Sequence, residues 1–532
     1  MPRVLISDPI AREGIEKLRE HAEVVTDTGL SPEQLLAIIP GFDALVVRSE
    51  TKVTAGVIAA GARLTVIGRA GVGVDNIDVK AATAQGIVVV NSPHGNTMAA
   101  AELTIAMMLA LARRIPQADA SLRSGAWDRK RFVGTECFGK TLGIVGLGKI
   151  GAEVSLRARG LEMTVLAYDP YATDAAAEHC GARLTSLEEI YESADFITVH
   201  VPLNDKTRGL IGQAELARMR KGVRIINVAR GGVVNEEALA EAIRTGHVAG
   251  AAFDVFSKEP VEPGHPLVGL AETVVTPHLG ASTAEAQVKV AVDVAEQIVE
   301  VLDGQPARSA VNMPALSVEA LQRAQPYMAL GEKIGSLHTQ LARDLDGRGR
   351  PISAVEVSYR GTFDGIALGA VTRSIVAGLL GPMLSDPVNL VNAPVLAAAR
   401  GIRVTESATA SHGEYSAMVS VRVTMPDGEQ SICGVVVGRN ALRIVHVDGY
   451  EVNLIPDGDM LFTRHTDQPG MIGAVGMLLG ANRVNIGGMN VGREKVGGRA
   501  LMVVMVDNPV TDEMLAKIRS LPGMETARVV RL

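Results

Sequence analysis

The sequence predicts an α/β protein of several domains, built on doubly wound parallel sheets and ending in a ferredoxin-like unit. Three observations predict it. Short β-branched runs alternate with helical patterns in two successive blocks, the signature of parallel sheets wrapped by helices. A G-x-G-x-x-G run at 146–151 stands between an apolar strand and a helix. The chain has 532 residues, whereas one hydrophobic core stops growing at roughly 250–300 residues.

In chain order, strands are expected at 4–7, 44–48, 64–68 and 88–91, with helices at 10–21, 32–38 and 54–60 between them. A second block spans 97–282, with six strands at 141–145, 164–168, 196–199, 224–228, 250–253 and 273–276. A helix over 284–303 follows and is expected to return to the first block. Gly304-Gln305-Pro306 and Met313-Pro314 then mark a boundary. Beyond it, helical 318–345 and strands at 352–359, 415–425 and 431–438 suggest a mixed α/β domain over 316–455. The stretch 458–532 reads strand 460–464, helix 469–481, strands 485–491 and 501–506, helix 511–521 and strand 526–531. That order is βαββαβ.

Composition excludes several function classes. Apolar residues make up 47% and aromatics only 3%, so the cores rest on Ala, Val, Leu, Ile and Met. The net charge is −7 and both signs are dispersed, leaving no basic face for nucleic acid. Cys137, Cys180 and Cys433 lie far apart, with neither a disulfide framework nor zinc spacing, so no metal is expected. That suits a reducing compartment, and a cytoplasmic location is expected. The apolar run 103–112 is about half the ~20 residues a membrane span needs. Residues 1–8 read as a first strand, not a signal peptide.

The glycine run carries the first chemistry. Gly146 permits a tight turn, Gly148 lets the backbone approach a pyrophosphate, and Gly151 allows close helix–strand packing. Asp169 ends the next strand, where an acid accepts hydrogen bonds from ribose hydroxyls and repels a 2′-phosphate. Together they predict a Rossmann-type site for NAD. Oxidising a secondary alcohol then needs a base, a group that orients it and a cation for the substrate. His278, Glu259 and Arg230 stand just after successive strands of the second block, where open α/β sheets place ligands.

The segments Asn227-Val228-Ala229-Arg230-Gly231, Asp254-Val255-Phe256 with Glu259-Pro260, and Pro277-His278-Leu279-Gly280-Ala281 resemble the D-isomer-specific 2-hydroxyacid dehydrogenases. The resemblance implies that His278 is the acid/base, that Glu259 pairs with it and that Arg230 grips the 2-hydroxy carboxylate. It places Asp254 at the nicotinamide amide and Thr207 at the pyrophosphate, and Lys149, Ile150, Pro202 and Ala229 count with the same cofactor site. It implies a flavodoxin-like substrate domain over 1–96 and 283–312, interrupted by the NAD domain at 97–282. Gly71, Val72 and Gly73 would offer backbone N–H groups to the carboxylate, with Asn96 where the domains meet.

Further features are similar to the phosphoglycerate dehydrogenases of that family. Arg48 and Arg69 lie at strand ends and Arg129 in a Trp-containing basic segment, so all three are expected at a substrate phosphate. Asp386-Pro387-Val388-Asn389-Leu390-Val391-Asn392-Ala393 looks like their intervening domain, and the βαββαβ unit like an ACT domain that binds amino acids at paired interfaces. There His465, Asp467 and Asn485 match a serine-binding pattern. The resemblance thus implies 3-phosphoglycerate as substrate, L-serine as a possible effector and a homotetramer. Alternatives are another D-2-hydroxy acid such as 2-hydroxyglutarate, a non-catalytic NAD-sensing scaffold, or an amino-acid-binding regulator.

Overall fold

A computed structural model describes residues 1–314, 318–342, 350–384, 387–410 and 414–532. The expected helix residues 343–345, the expected domain start at 316–317 and Asp386 lie outside the described residues.

The first sheet holds β1 (Arg3–Ile6), β2 (Glu23–Thr26), β3 (Ala44–Val47), β4 (Val66–Arg69) and β5 (Val88–Asn91) in the order β2-β1-β3-β4-β5, all parallel. This is the flavodoxin-like 2-1-3-4-5 arrangement. β3 is buried throughout because its Ala-Leu-Val-Val run has no polar alternation, as helices on both faces require. The chain leaves this sheet through the helix Thr97–Arg113 and returns in the helix Ala284–Leu302. The return helix lies so close to β4 that a Cβ on Gly68 would sit 2.6 Å from Ile298 and from Val294. The two crossings adjoin, since a Cβ on Gly95 would lie 2.2 Å from Val290.

The second sheet has seven parallel strands, not the six expected: β6 (Thr141–Val145), β7 (Thr164–Tyr168), β8 (Arg183–Leu184), β9 (Phe196–Val199), β10 (Val223–Asn227), β11 (Val248–Phe253) and β12 (Thr273–Val275). Their order, β8-β7-β6-β9-β10-β11-β12, reverses direction of winding between β6 and β9. Ligands of doubly wound sheets bind at that switch point.

The third sheet comprises β13 (Ala354–Gly361), β14 (Arg403–Thr409), β15 (Ala417–Met425), β16 (Gly428–Val437), β17 (Ala441–Val447) and β18 (Tyr450–Leu454), ordered β14-β13-β15-β16-β17-β18. Only the β13–β14 pair is parallel. Helices Val318–Leu341 and Leu368–Leu380 pack backbone to backbone above it. A Cβ on Gly335 would lie 2.1 Å from the Ile375 carbonyl oxygen. The fourth sheet, β19 (Asp459–Thr466), β20 (Ile486–Arg493), β21 (Arg499–Val506) and β22 (Met524–Arg531), is antiparallel in the order β20-β21-β19-β22. With helices Met471–Ala481 and Asp512–Arg519 it makes the ferredoxin-like βαββαβ unit. Among the described residues no helix is long and apolar enough to cross a membrane.

Candidate active site

The glycine loop leaves β6 at the switch point. Gly146 takes φ +99°, and a Cβ there would meet the His200 carbonyl oxygen at 2.6 Å, so only glycine makes this turn. A Cβ on Gly151 would lie 2.2 Å from the Gly146 oxygen, which sets the helix Lys149–Gly160 directly on the loop. A Cβ on Gly148 would meet nothing within 4 Å, and no side chain caps the helix. Open space beside amides at a helix N-terminus fits a pyrophosphate. Each oxygen of Asp169 accepts one backbone N–H at 2.8 Å, from Leu147 and from Tyr171. A carboxylate has about four acceptor positions, so ribose hydroxyls still find room. Lys149 Nζ lies 2.6 Å from His94 Nε2. Thr207 Oγ1 donates to the Pro202 carbonyl oxygen at 2.5 Å and fixes the loop after β9.

The three expected catalytic side chains stand at the ends of β10, β11 and β12. His278 Nδ1 lies 2.7 Å from Glu259 Oε2, and Glu259 Oε1 accepts the Phe256 N–H at 3.0 Å. Burial works against the charged carboxyl, but the hydrogen bonds from His278 and Phe256 outweigh it and hold Glu259 below the usual carboxylate range. Asn227 is buried and braces the next loop, donating to the Arg230 carbonyl oxygen at 2.9 Å and accepting from Ala229 N at 3.0 Å. Arg230 itself crosses to the first sheet: its Nε donates to Asp75 Oδ2 at 3.1 Å, and a Cβ on Gly73 would lie 1.9 Å from its Nη2.

The first sheet supplies the facing wall. A Cβ on Gly71 would lie 2.1 Å from Arg69 Nη1, so the glycine loop and this guanidinium share one corner of the cleft. Arg69 has no hydrogen-bond acceptor among the described residues, and its Nε is buried without a partner. Burial first, then the charges of Arg230 and Arg48 against those of Asp75 and Asp8, push it down to about 10. Arg48 is set by Asp8, whose carboxylate accepts the Arg48 N–H at 2.6 Å. The Gly71 amide is taken by the Arg69 carbonyl oxygen at 2.8 Å, so the free donors of that loop are Val72 and Gly73. Ser92 Oγ and Asn96 Oδ1 are buried without partners near the crossing between sheets.

Known proteins carry the same arrangement. The family model for the D-isomer specific 2-hydroxyacid dehydrogenase NAD binding domain matches residues 105–280, that for the D-3-phosphoglycerate dehydrogenase intervening domain 323–448, and that for the ACT domain 460–523. A D-3-phosphoglycerate dehydrogenase of Synechocystis sp. is 47% identical over 538 residues, covering 100% of this chain and 95% of its own. One of Archaeoglobus fulgidus is 45% identical over 533 residues, covering 100% of both chains. The chain belongs to the D-3-phosphoglycerate dehydrogenase family. It is accordingly an NAD-dependent oxidoreductase. The structure of a glyoxylate reductase from Paecilomyes thermophila aligns with TM-score 0.54 and 29% identity, over 58% of this chain and 98% of the other.

In this D-3-phosphoglycerate dehydrogenase family member, the remaining expected residues have surroundings of their own. Asp254 is fully buried, and its carboxylate is turned to the His278 loop. Its Oδ1 accepts from Thr276 Oγ1 at 2.6 Å and Leu279 N at 2.7 Å, and its Oδ2 accepts from Gly280 N at 2.8 Å. Arg129 is exposed and its side chain has no partner among the described residues. The expected effector residues do not meet within one chain. Ile486 pairs with Val506, which pairs with Asp459, whereas His465 pairs with Ala500. Asn485 therefore stands at the opposite end of the sheet from His465 and Asp467, roughly 20 Å away at ~3.3 Å per residue. Asn485 donates instead to Asp507 at 2.6 Å, and Asp467 accepts from Gly497 N at 3.2 Å. Burial pushes the His465 imidazole down, against the pull of Asp467 and Glu525.

Sequence reading missed Asp75, two residues after Gly73; only the fold brings Arg230 to it. It also missed Glu236 and His265, which stand behind the Glu259 loop and carry no motif of their own.

Proposed function

We propose that the chain oxidises 3-phospho-D-glycerate to 3-phosphohydroxypyruvate with NAD, the entry step of L-serine synthesis. The observation that carries this choice among 2-hydroxy acids is Arg69: a largely buried guanidinium, without an acceptor, facing the glycine loop. A cation at that depth with no hydrogen-bonded acceptor calls for an anion on the substrate beyond the carboxylate.

In this reading Arg230 and the amides of Val72 and Gly73 hold the carboxylate, while Arg69 and Arg48 hold the phosphate. His278 takes the C2 hydroxyl proton at Nε2, because Nδ1 is occupied by Glu259. Glu259 keeps the ring in place and favours the imidazolium that forms. Asp254 positions the His278 loop. NAD, when bound, supplies the two-electron acceptor. Residues 1–96 with 283–312 form the substrate part, 97–282 the cofactor part, and 316–455 and 458–532 the intervening and ACT parts, a division supported by four separate sheets. A cytoplasmic homotetramer belongs to the same reading. Exposed Leu122, Trp127 and Val133, which are 57%, 80% and 77% exposed, support assembly, and three free cysteines support a reducing compartment.

The test is NADH formation from 3-phosphoglycerate, with the product trapped, with and without L-serine. Turnover that falls by about 10²–10⁴ in His278→Ala, with folding retained, is expected. Absence of turnover by folded wild-type protein would overturn the substrate, and unchanged turnover in the variant would overturn the base. Light scattering that gives a monomer would overturn the tetramer.

A further inference from the structure

We propose that a buried Glu236–His265–Ser257 network positions Glu259, making Glu236 and His265 positioning residues for the hydride-transfer reaction; this rests on the reading of His278 and Glu259 given above.

Glu236 opens the helix Glu236–Arg244, which Asn235 caps through Ala238 N at 2.9 Å. It is only 4% exposed, and among the described residues its one salt-bridge partner is His265. Its Oε1 accepts Ser257 N at 2.7 Å, while its Oε2 accepts Ser257 Oγ and His265 Nε2, both at 2.8 Å. His265 Nδ1 accepts from Leu267 N at 3.3 Å, so the ring proton sits on Nε2 and points at the carboxylate. The acid thus accepts three hydrogen bonds, all from one loop. A buried acid is a poor choice for stability alone, since an apolar side chain of similar volume would serve as well or better. What it provides is a fixed place for the loop.

That loop carries Glu259. Phe256 N holds Glu259 Oε1 at 3.0 Å, and the next residue, Ser257, is held twice by Glu236. The His265 ring meets the Phe256 ring edge-on, with centroids 5.2 Å apart at 81°. From the other side, a Cβ on Gly231 would lie 1.9 Å from the Phe256 carbonyl oxygen. The Arg230 loop and the Glu259 loop therefore rest on each other's backbone. A shift at Ser257 moves Glu259 away from His278. A misplacement of about 1 Å costs on the order of a hundredfold in rate.

The experiment uses the full chain. Steady-state kcat and KM for 3-phosphoglycerate are measured across pH for wild type, Glu236→Gln, His265→Leu and His265→Gln. Hydrogen–deuterium exchange of peptides spanning 255–265 is followed on the same proteins. Glu236→Gln and His265→Leu are expected to lose about tenfold to a hundredfold in kcat, with KM within about twofold. The acid limb of their kcat profile moves to lower pH, because the imidazolium loses part of its carboxylate partner. His265→Gln restores kcat, since its amide N–H reaches the place of Nε2–H. Exchange is faster in the first two variants and near wild type in the third. Wild type without turnover on 3-phosphoglycerate refutes the substrate alone, and exchange then decides the network. Variants with kcat within about twofold of wild type, or with unmoved profile and unmoved exchange, overturn the proposal. So does a loss explained by fewer folded molecules at unchanged kcat per folded site.

Discussion

His278 is held at φ +57°, a left-handed backbone uncommon for residues other than Gly, though Asn, Asp and His adopt it more often than the rest. Its amide donates to the Asp254 carbonyl oxygen at 2.9 Å, and the Asp254 carboxylate gathers the amides of Leu279 and Gly280. Strain at a reacting group persists where its surroundings fix it so fully. Asp254→Asn places an NH2 group against those donors. It is expected to cost about 1–3 kcal/mol in a denaturant titration, and to lower kcat more than it raises KM. Arg69 behaves oppositely. Arg69→Met removes a charge that has no hydrogen-bonded acceptor and whose burial outweighs the pull of Asp75 and Asp8, so the thermal midpoint without ligand holds or rises. KM for 3-phosphoglycerate in the same variant rises about a hundredfold. A fall in both stability and KM would sink this account of Arg69. Arg230, Glu259 and His278 were legible because each sits in a local run of residues next to a strand end. The buried Ser92 and Asn96 atoms were not legible as unpaired, because pairing depends on what the other sheet brings to them.

At the scale of elements, central strands were legible and edges were not. β3, β6 and β9 are mostly apolar runs without a charged residue, which mark strands buried on both faces. β2, Glu23-Val24-Val25-Thr26, is an edge strand with exposed ends, and β8 has only two residues. Neither carries enough apolar sequence to stand out before its neighbour is known. The return helix was foreseen as an element, but its contact with β4 rests on the missing side chain of Gly68. Gly68→Val overpacks against Ile298 and Val294 and is expected to destabilise by about 1–3 kcal/mol. Urea unfolding followed by circular dichroism reads this directly, and an unchanged midpoint would show that the helix shifts freely.

Across the whole molecule, the buried His338 and the half-buried His200 set a limit at low pH. Burial pushes His200 to about 4, and burial, against hydrogen bonds to Gln430 and Val421, pushes His338 to about 4. Both lie below the ordinary value of about 6.5, so the unfolded chain takes up protons first as pH falls. Stability is complete above about pH 6.5 and drops between there and pH 4, by about 3 kcal/mol for each histidine. A His338→Gln variant with an equally steep loss over that range would contradict this. The separation of Asn485 from His465 and Asp467 has a consequence for assembly. If serine binds there, each site takes Asp467 from one copy and Asn485 from another. Mixing inactive Asp467→Ala and Asn485→Ala chains should then restore intact sites, measured as serine binding by calorimetry. No restoration would place any serine site within a single chain. This arrangement was not legible in one sequence, because register across β19, β21 and β20 decides it. A last consequence concerns the paired crossings beside Gly95 and Val290. A panel hung on two adjacent pins swings about the line through them and resists every other rotation. Any swing of the two halves would be confined to that line, and a ligand held by Arg69 on one leaf and Arg230 on the other would latch it.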